Sequence, residues 1–373
     1  MSRYHFKLAS RRDDAELCRI LAATPMNGRV SVSFRREPSF FDAAVVDGDF
    51  RQTVTCRDSQ LNQIVGFGCR SVRKMSINGV PTPVGYLSTL RVLPQFRSLG
   101  LIARGYAYFR ELHNDGRAEV YLTTIADRND RALSVLTSGR AGLPTYNFAG
   151  MYHTVALPIA RRRPASNVTE STIQVRAATS ADLECVLEFL RTVGASRQCF
   201  PCYQSDEFFT EQGTFRDFAA ADLLLAFRGQ RLVGTLGGWD QSGFRRSVVE
   251  CYNSHLRWSR PAYNTWAKLC GQPTLPKPGE SFRCLTAAVP LVYDDDERVF
   301  ATLLQELLSR AAAVGSHDYL LLGLHESDPL MPVVKRYRSQ KYVTKVFVVC
   351  WDDGKDQWRR LDGRPLYLEL GCL

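Results

Sequence analysis

An α+β fold is predicted for this chain: a mixed, mostly antiparallel sheet with flanking helices, built twice in tandem. Three observations lead there. Strand-like runs bounded by turn residues alternate with a few amphipathic helical stretches. One such run, residues 84–92, passes through a turn holding Pro94, Arg97 and Gly100 straight into a helix at Leu101–His113. The order of elements in residues 1–157 then recurs after residue 172, and a repeat on that scale signals a tandem architecture.

Taken in order, residues 3–8 read as a first strand. Ser10 caps a helix with Asp13, Asp14 and Glu16 in its opening turns, running to about Ala23. Residues 24–49 hold the pair Phe40 and Phe41 and have no clear period. Residues 51–57 and 61–74 look like consecutive strands, and Asn78 before Gly79 is a hairpin signal leading into the strand at 84–92. Gly116 ends the following helix, 119–126 is a buried strand, Asp127 to Ala132 opens a short helix, and closing strands fill 146–157.

Residues 160–171, with Arg161, Arg162, Arg163 and Pro164, read as a linker between units at 1–159 and 172–373. In the second unit Ser180 caps a helix as Ser10 does, and 222–227 with 232–239 make a hairpin. Residues 282–292, 298–314 and 318–324 parallel the strand, helix and buried strand of the first unit. Asp294, Asp295, Asp296 and Glu297 replace the glycine–arginine turn. Carboxylates crowded there repel a phosphate, whereas they suit a helix start. Residues 253–281, with Trp258, Tyr263 and Trp266, are an insertion too long for a structureless loop.

Composition narrows the class. Hydrophobic residues make up 45% and charged residues 23%, which suits a soluble globular protein with ample core. No run approaches the ~20 apolar residues of a membrane span, and no membrane contact is expected. The opening residues show no signal-type apolar segment. Eleven cysteines without regular spacing fit a reducing cytoplasm. The net charge of +10 rests on 40 arginines and 8 lysines, scattered among acids, so nucleic acid is not expected as a partner. Self-association into a homo-oligomer is left open.

The turn after residue 92 has the chemistry of an anion cradle. Free N–H groups and the positive dipole end of the helix point at it, Gly100 permits close backbone approach, and Arg97 adds a charge. The pattern Leu90-x-Val92-x-Pro94-x-x-Arg97-x-x-Gly100 resembles motif A of the GNAT superfamily of acyl-CoA-dependent N-acyltransferases. The resemblance is specific over residues 84–132, topological across 1–157 and architectural across 172–373. It implies a strongly bent sheet in each half and an acyl-CoA site formed by Leu90, Arg91, Val92, Arg97, Ser98, Leu99, Gly100, Leu101 and Ile102. Asn129 and Ala132 match motif B, where an asparagine reaches the coenzyme. Two positions depart: Ile102 stands where the family has Gly or Ala, and Leu136 where it often has the acidic tyrosine.

The implied activity is transfer of an acetyl group from acetyl-CoA, a cosubstrate, to a primary amine by direct attack. No metal is implied. Candidates for the missing acid are Tyr146 and Tyr152, each also readable as core. The usual base positions are Ser88, Thr89 and Leu90, leaving Glu119 as a substitute. A backbone N–H within 90–92 would serve the carbonyl oxygen. The second half is expected to lack a coenzyme site. The rival reading is a non-catalytic acyl-CoA-binding or scaffold protein. Cys199 and Cys202 form a lone CxxC without a second ligand pair, and His325 to Asp328 reads as a strand-to-helix turn.

Overall fold

A computed structural model of the chain describes residues 2–97, 100–140, 142–160 and 172–373. The greater part of the expected linker therefore lies outside the described residues. The first half runs β1 (Tyr4–Leu8), α1 (Asp14–Ala23), β2 (Val30–Arg36), α2 (Phe40–Ala43), β3 (Phe50–Asp58), β4 (Gln63–Ile77), β5 (Val80–Val92), α3 (Leu101–His113), β6 (Val120–Ala126), α4 (Asp130–Leu136) and β7 (Thr145–Pro158). Ser10 and Asp13 form the reciprocal capping box ahead of α1, the Ser10 N–H donating to Asp13 at 2.9 Å. Asn78 and Gly79 take positive φ (53° and 83°), as a two-residue hairpin requires. Residues 24–49 are more ordered than their pattern suggests, since β2 and α2 both lie there.

The second half runs β8 (Ile173–Ala177), α5 (Leu183–Gly194), β9 (Phe200–Pro201), β10 (Leu223–Arg228), β11 (Arg231–Trp239), β12 (Arg245–Tyr252), α6 (Ser254–Leu269), β13 (Cys284–Val292), α7 (Glu297–Val314), β14 (Tyr319–His325), α8 (Met331–Lys335), β15 (Gln340–Cys350) and α9 (Lys355–Arg359). Its opening cap is Thr179 with Asp182, one residue before the expected Ser180. The insertion is largely a helix, α6, which carries Pro261 in its interior.

Both halves share one sheet of thirteen strands, in the order β1-β3-β4-β5-β6-β15-β7-β14-β13-β11-β10-β8 with β9 alongside β4. Pairing is antiparallel except at β5–β6 and β13–β14. The closing strands are exchanged. β15 lies between β6 and β7, with Lys345 opposite both Ile125 and Met151. β7 pairs in turn with β14, Val155 opposite Leu322. Each half is thus completed by a strand of the other. A second joint is the ribbon of β2 and β12, which sets Arg36 opposite Arg245.

Helices cover the sheet where their apolar stripes dictate. α7 buries Val299, Leu303 and Leu307 against β11 and β14 of the second half. α3 buries Tyr106 and Phe109 over β3 to β5, and α1 buries Leu17, Ile20 and Leu21 in a separate cluster with β4. The flanks of the CxxC are structural: β9 lies between Cys199 and Cys202 and pairs Pro201 with Met75 of β4. All eleven cysteines are free.

The turn after β14 holds a buried neutral histidine. His325 Nε2 lies 2.8 Å from the Ala149 carbonyl and so carries the proton, while Nδ1 accepts from the Ser327 N–H at 3.2 Å. Burial is the largest influence on its pKa and pushes it down. A histidine with its folded pKa below the unfolded value near 6.5 takes up protons less readily when folded. Its contribution is complete above that pH and is lost as pH falls below it. Urea unfolding of wild type should therefore show a fall in stability from pH 7 toward pH 5. A His325→Gln variant, which cannot titrate, should show a shallower fall, and parallel profiles would refute this assignment.

Candidate active site

The site begins where β5 and β6 part. They pair in parallel at Gly85–Tyr121 and Tyr86–Leu122 and then diverge. Gly85 is required at the first of these contacts, because a Cβ there would stand 2.0 Å from the Tyr121 ring. Beyond it β5 bulges: Cys69 faces Ser88, yet Phe67 faces Arg91, and Thr89 takes φ 53°. A non-glycine residue in that region costs about 1–3 kcal/mol and persists only where the surroundings enforce it. The bulge re-aims the backbone of 89–90 away from the β4 ladder.

The second half repeats this construction in matching register. Gly237 faces Ala288, Thr235 faces Leu291, and Val289 takes φ 43°. Each β5 residue corresponds to the β13 residue 200 positions later, so Val289 answers to Thr89 and Pro290 to Leu90. The parallel contact of β13 with β14 likewise ends at Thr286, the counterpart of Tyr86.

The halves differ beyond the bulge. After Val92 the first half makes a short turn in which Arg97 Nε donates to the Val92 carbonyl at 3.0 Å. Gly100 then opens α3 with φ 64°, and among the described residues no side chain caps this end. A Cβ on Gly100 would meet nothing within 4 Å, so Gly100 faces open space among the described residues. Ser98 and Leu99 fall outside the described residues. In the second half α7 starts at Glu297, only a few residues past β13, and the acids are consumed locally. Asp296 accepts from the N–H groups of Arg298 and Val299 and pairs with Arg228 at 2.6 Å, Asp295 pairs with Arg197, and Glu297 with Arg336 at 2.5 Å.

The bulge of the second half is also engaged from within. The Val289 N–H donates to Glu369 Oε2 at 3.0 Å, and Tyr367 donates to the same oxygen at 2.6 Å. Glu369 is buried, and burial pushes its pKa up. Sequence gave no hint of this residue, since nothing local to 366–370 marks it as reaching β13.

The other expected site residues are distributed as follows. Leu90 and Ile102 pack beneath α3 with Tyr106 and Leu136, so Ile102 turns into the apolar cluster. Leu90, Ile102, Gly66, Gly68, Gly105 and Phe109 line a small cavity there, about 30 Å³. Val92 and Leu101 pack on the neighbouring cluster of α1 and β4 and also line this cavity. Arg91 is half-buried and donates to the Leu90 carbonyl at 3.1 Å. Burial pushes its pKa down, and Tyr342 of β15 is the largest influence in the other direction. Asn129 caps α4, its Oδ1 accepting from the Ala132 N–H at 3.2 Å, and is exposed.

The acid–base candidates fare differently. The Tyr146 hydroxyl meets that of Tyr106 on α3 at 2.5 Å, and burial holds its pKa well above the usual phenol range. Of the two tyrosines it alone touches the cluster around Leu90. Tyr152 is corrected to a core residue: its hydroxyl donates to the Leu368 carbonyl at 2.9 Å. Glu119 is corrected too. It precedes β6, whose pairing with β5 begins two residues later at Tyr121, whereas the bulge lies five residues beyond Gly85. At about 3.3 Å per residue the two are roughly 20 Å apart along the strands. The exchange of β7 and β15 bears on Tyr152, because the strand beside β6 is β15, whereas the register of β6 on β5 sets the place of Glu119. Among the described residues no group of three His, Cys, Asp or Glu side chains could hold a metal ion.

No family model matches the sequence, and no curated protein matches it. The fold is nonetheless a known one. N-myristoyltransferase of Saccharomyces cerevisiae, solved with bound myristoyl-CoA, aligns with TM-score 0.59 and 10% identity over 94% of this chain and 83% of that one. A GCN5-related N-acetyltransferase from Anabaena variabilis aligns with TM-score 0.53 and 8% identity over 93% and 72%. A glucosamine N-acetyltransferase region of a fungal multidomain GH3 β-N-acetylglucosaminidase aligns with TM-score 0.60 and 11% identity over 93% of this chain, which spans 38% of that protein. The class is therefore the GNAT N-acyltransferase fold. In this chain it occurs twice, as tandem halves of one sheet.

Proposed function

We propose that the first half binds acetyl-CoA and transfers its acetyl group to a primary amine. The reading is carried by one observation: the β5 bulge, the strand divergence and a left-handed glycine at the start of the following helix coincide in the first half only. The α3 turn would hold the pyrophosphate with backbone N–H groups and Arg97. The pantetheine arm would follow the edge of β5 exposed by the divergence. The bulge would present the Leu90 N–H to the thioester carbonyl. The amine attacks that carbon, the C–N bond forms, the C–S bond breaks, and the proton lost by the amine balances the thiolate. The cavity beside Leu90 is small, about 30 Å³, which favours a short acyl group over a long chain. In the second half the shortened acidic turn and Glu369 argue against a coenzyme site. The halves divide at 160–171, although strands of each pair with strands of the other, and eleven free cysteines suit the cytoplasm.

A non-catalytic acyl-CoA-binding protein is the second reading. It is favoured by Ser88, Thr89 and Leu90 in place of a carboxylate and by the engagement of Tyr146 with Tyr106. Calorimetric titration with acetyl-CoA, followed by an amine panel, distinguishes the two. Arg97→Glu should weaken acetyl-CoA binding by about tenfold or more, because it places a like charge beside the phosphates. Unchanged affinity would remove the α3 turn as the pyrophosphate site.

A further inference from the structure

The helix α6 presents its apolar side outward. Trp258 is 83% exposed, Leu269 76% and Trp266 47%. At 100° per residue these three fall within one quarter of the helix circumference, together with Ala262. The opposite side faces the protein. Ala267 is buried, Asn264 exchanges two hydrogen bonds with Leu275 at 2.8 and 3.0 Å, Tyr263 donates to the Pro273 carbonyl, and Arg260 donates to the Pro276 carbonyl. The outward orientation is thus fixed by the inner contacts. Arg257 and Lys268 lie on one flank of the stripe, about 16 Å apart along the helix, and both are exposed. Exposed Arg29, whose carbonyl accepts from the Asn253 N–H, adds a charge at the start of the helix. No Asp or Glu occurs in Ser254–Leu269.

We propose that α6 docks this chain on an anionic lipid surface, lying in the plane of the headgroups. Tryptophan and leucine at the centre with cations beside them is the arrangement that interfacial helices use: the indoles settle at the headgroup boundary and the cations meet lipid phosphates and carboxylates. The net charge of +10 acts in the same direction. A second copy of the chain fits less well. Sixteen residues at 1.5 Å give a stripe about 24 Å long and roughly 10 Å wide, about 240 Å² against the ~800 Å² per partner of a stable interface. Two such faces would also set arginine against arginine. This docking is independent of the acyl-transfer reading and revises the sequence-based expectation of no membrane contact.

Sedimentation with vesicles tests it. Wild type should pellet with vesicles of phosphatidylcholine and phosphatidylserine and stay in solution with phosphatidylcholine alone. A Trp258→Ser/Leu269→Ser double variant leaves the charge unchanged and replaces only exposed residues. It should bind the anionic vesicles about tenfold more weakly. Equal binding by the double variant would assign the attraction to diffuse charge and overturn the proposal. Failure of wild type to pellet with either vesicle would also overturn it, as would a dimer in analytical ultracentrifugation that the double variant abolishes.

Discussion

Asp47→Ala is expected to destabilise the protein by about 3–5 kcal/mol, the range for removing one partner of a buried ion pair. Asp47 is a buried carboxylate held between two guanidinium groups of the ribbon that joins the halves. Arg36 on β2 reaches it with two bonds, 2.7 and 3.1 Å, and Arg245, directly opposite on β12, reaches the same carboxylate. Arg36 and Asp47 are less than a tenth exposed. The Asp47 charge is a leading cause of the raised pKa of Arg36, while burial pushes Arg245 down. Without the carboxylate, two buried cations face each other with little solvent to screen them. Arg245 would keep its bond to the Gly371 carbonyl at 2.8 Å, which offsets only part of the loss. The contrast is Arg283 with Asp318, where the arginine is half exposed, and there Asp318→Ala should cost under about 1 kcal/mol. Urea unfolding of both variants decides the matter. A loss below 1 kcal/mol for Asp47→Ala would mean that water reaches the joint.

Much of the first half was legible because its signals are local. A capping box at Ser10, a hairpin at Asn78 and Gly79, and a glycine before a helix are each determined by a few adjacent residues, and each stands where the sequence put it. The acidic turn at 294–297 was likewise readable as a cap. Strand exchange was not. β7 and β15 are both long strands that follow a short helix at the end of equivalent halves, so either could lie beside β6 on pattern alone. The choice rests on packing between halves, and it moved Tyr152 into the core. β2 escaped notice because it pairs across halves and ends in a buried arginine rather than an apolar residue. α6 was obscured by Pro261, although its caps and spacing were present.

The tandem repeat supplies an internal control for the proposed chemistry. Pro290 stands at the place of Leu90 in the second copy of the bulge, directly after Val289 with φ 43°. A proline is therefore compatible with this backbone even after a residue at positive φ. It brings one chemical change that matters, the loss of an N–H. Leu90→Pro in the first half should accordingly keep the bulge and bind acetyl-CoA with near wild-type affinity. The turnover number should fall by about 10²–10³, equivalent to roughly 3–4 kcal/mol, the loss seen when one donor to a developing oxyanion is removed. The split between binding and turnover is the informative part. Leu90 also lines the cavity beneath α3, so a merely packing effect would weaken binding or folding as well, and Leu90→Ala reports it. Leu90→Ala keeps the N–H and should retain most of the turnover. Were Leu90→Pro as active as Leu90→Ala, the bulge amide would have no part in the reaction.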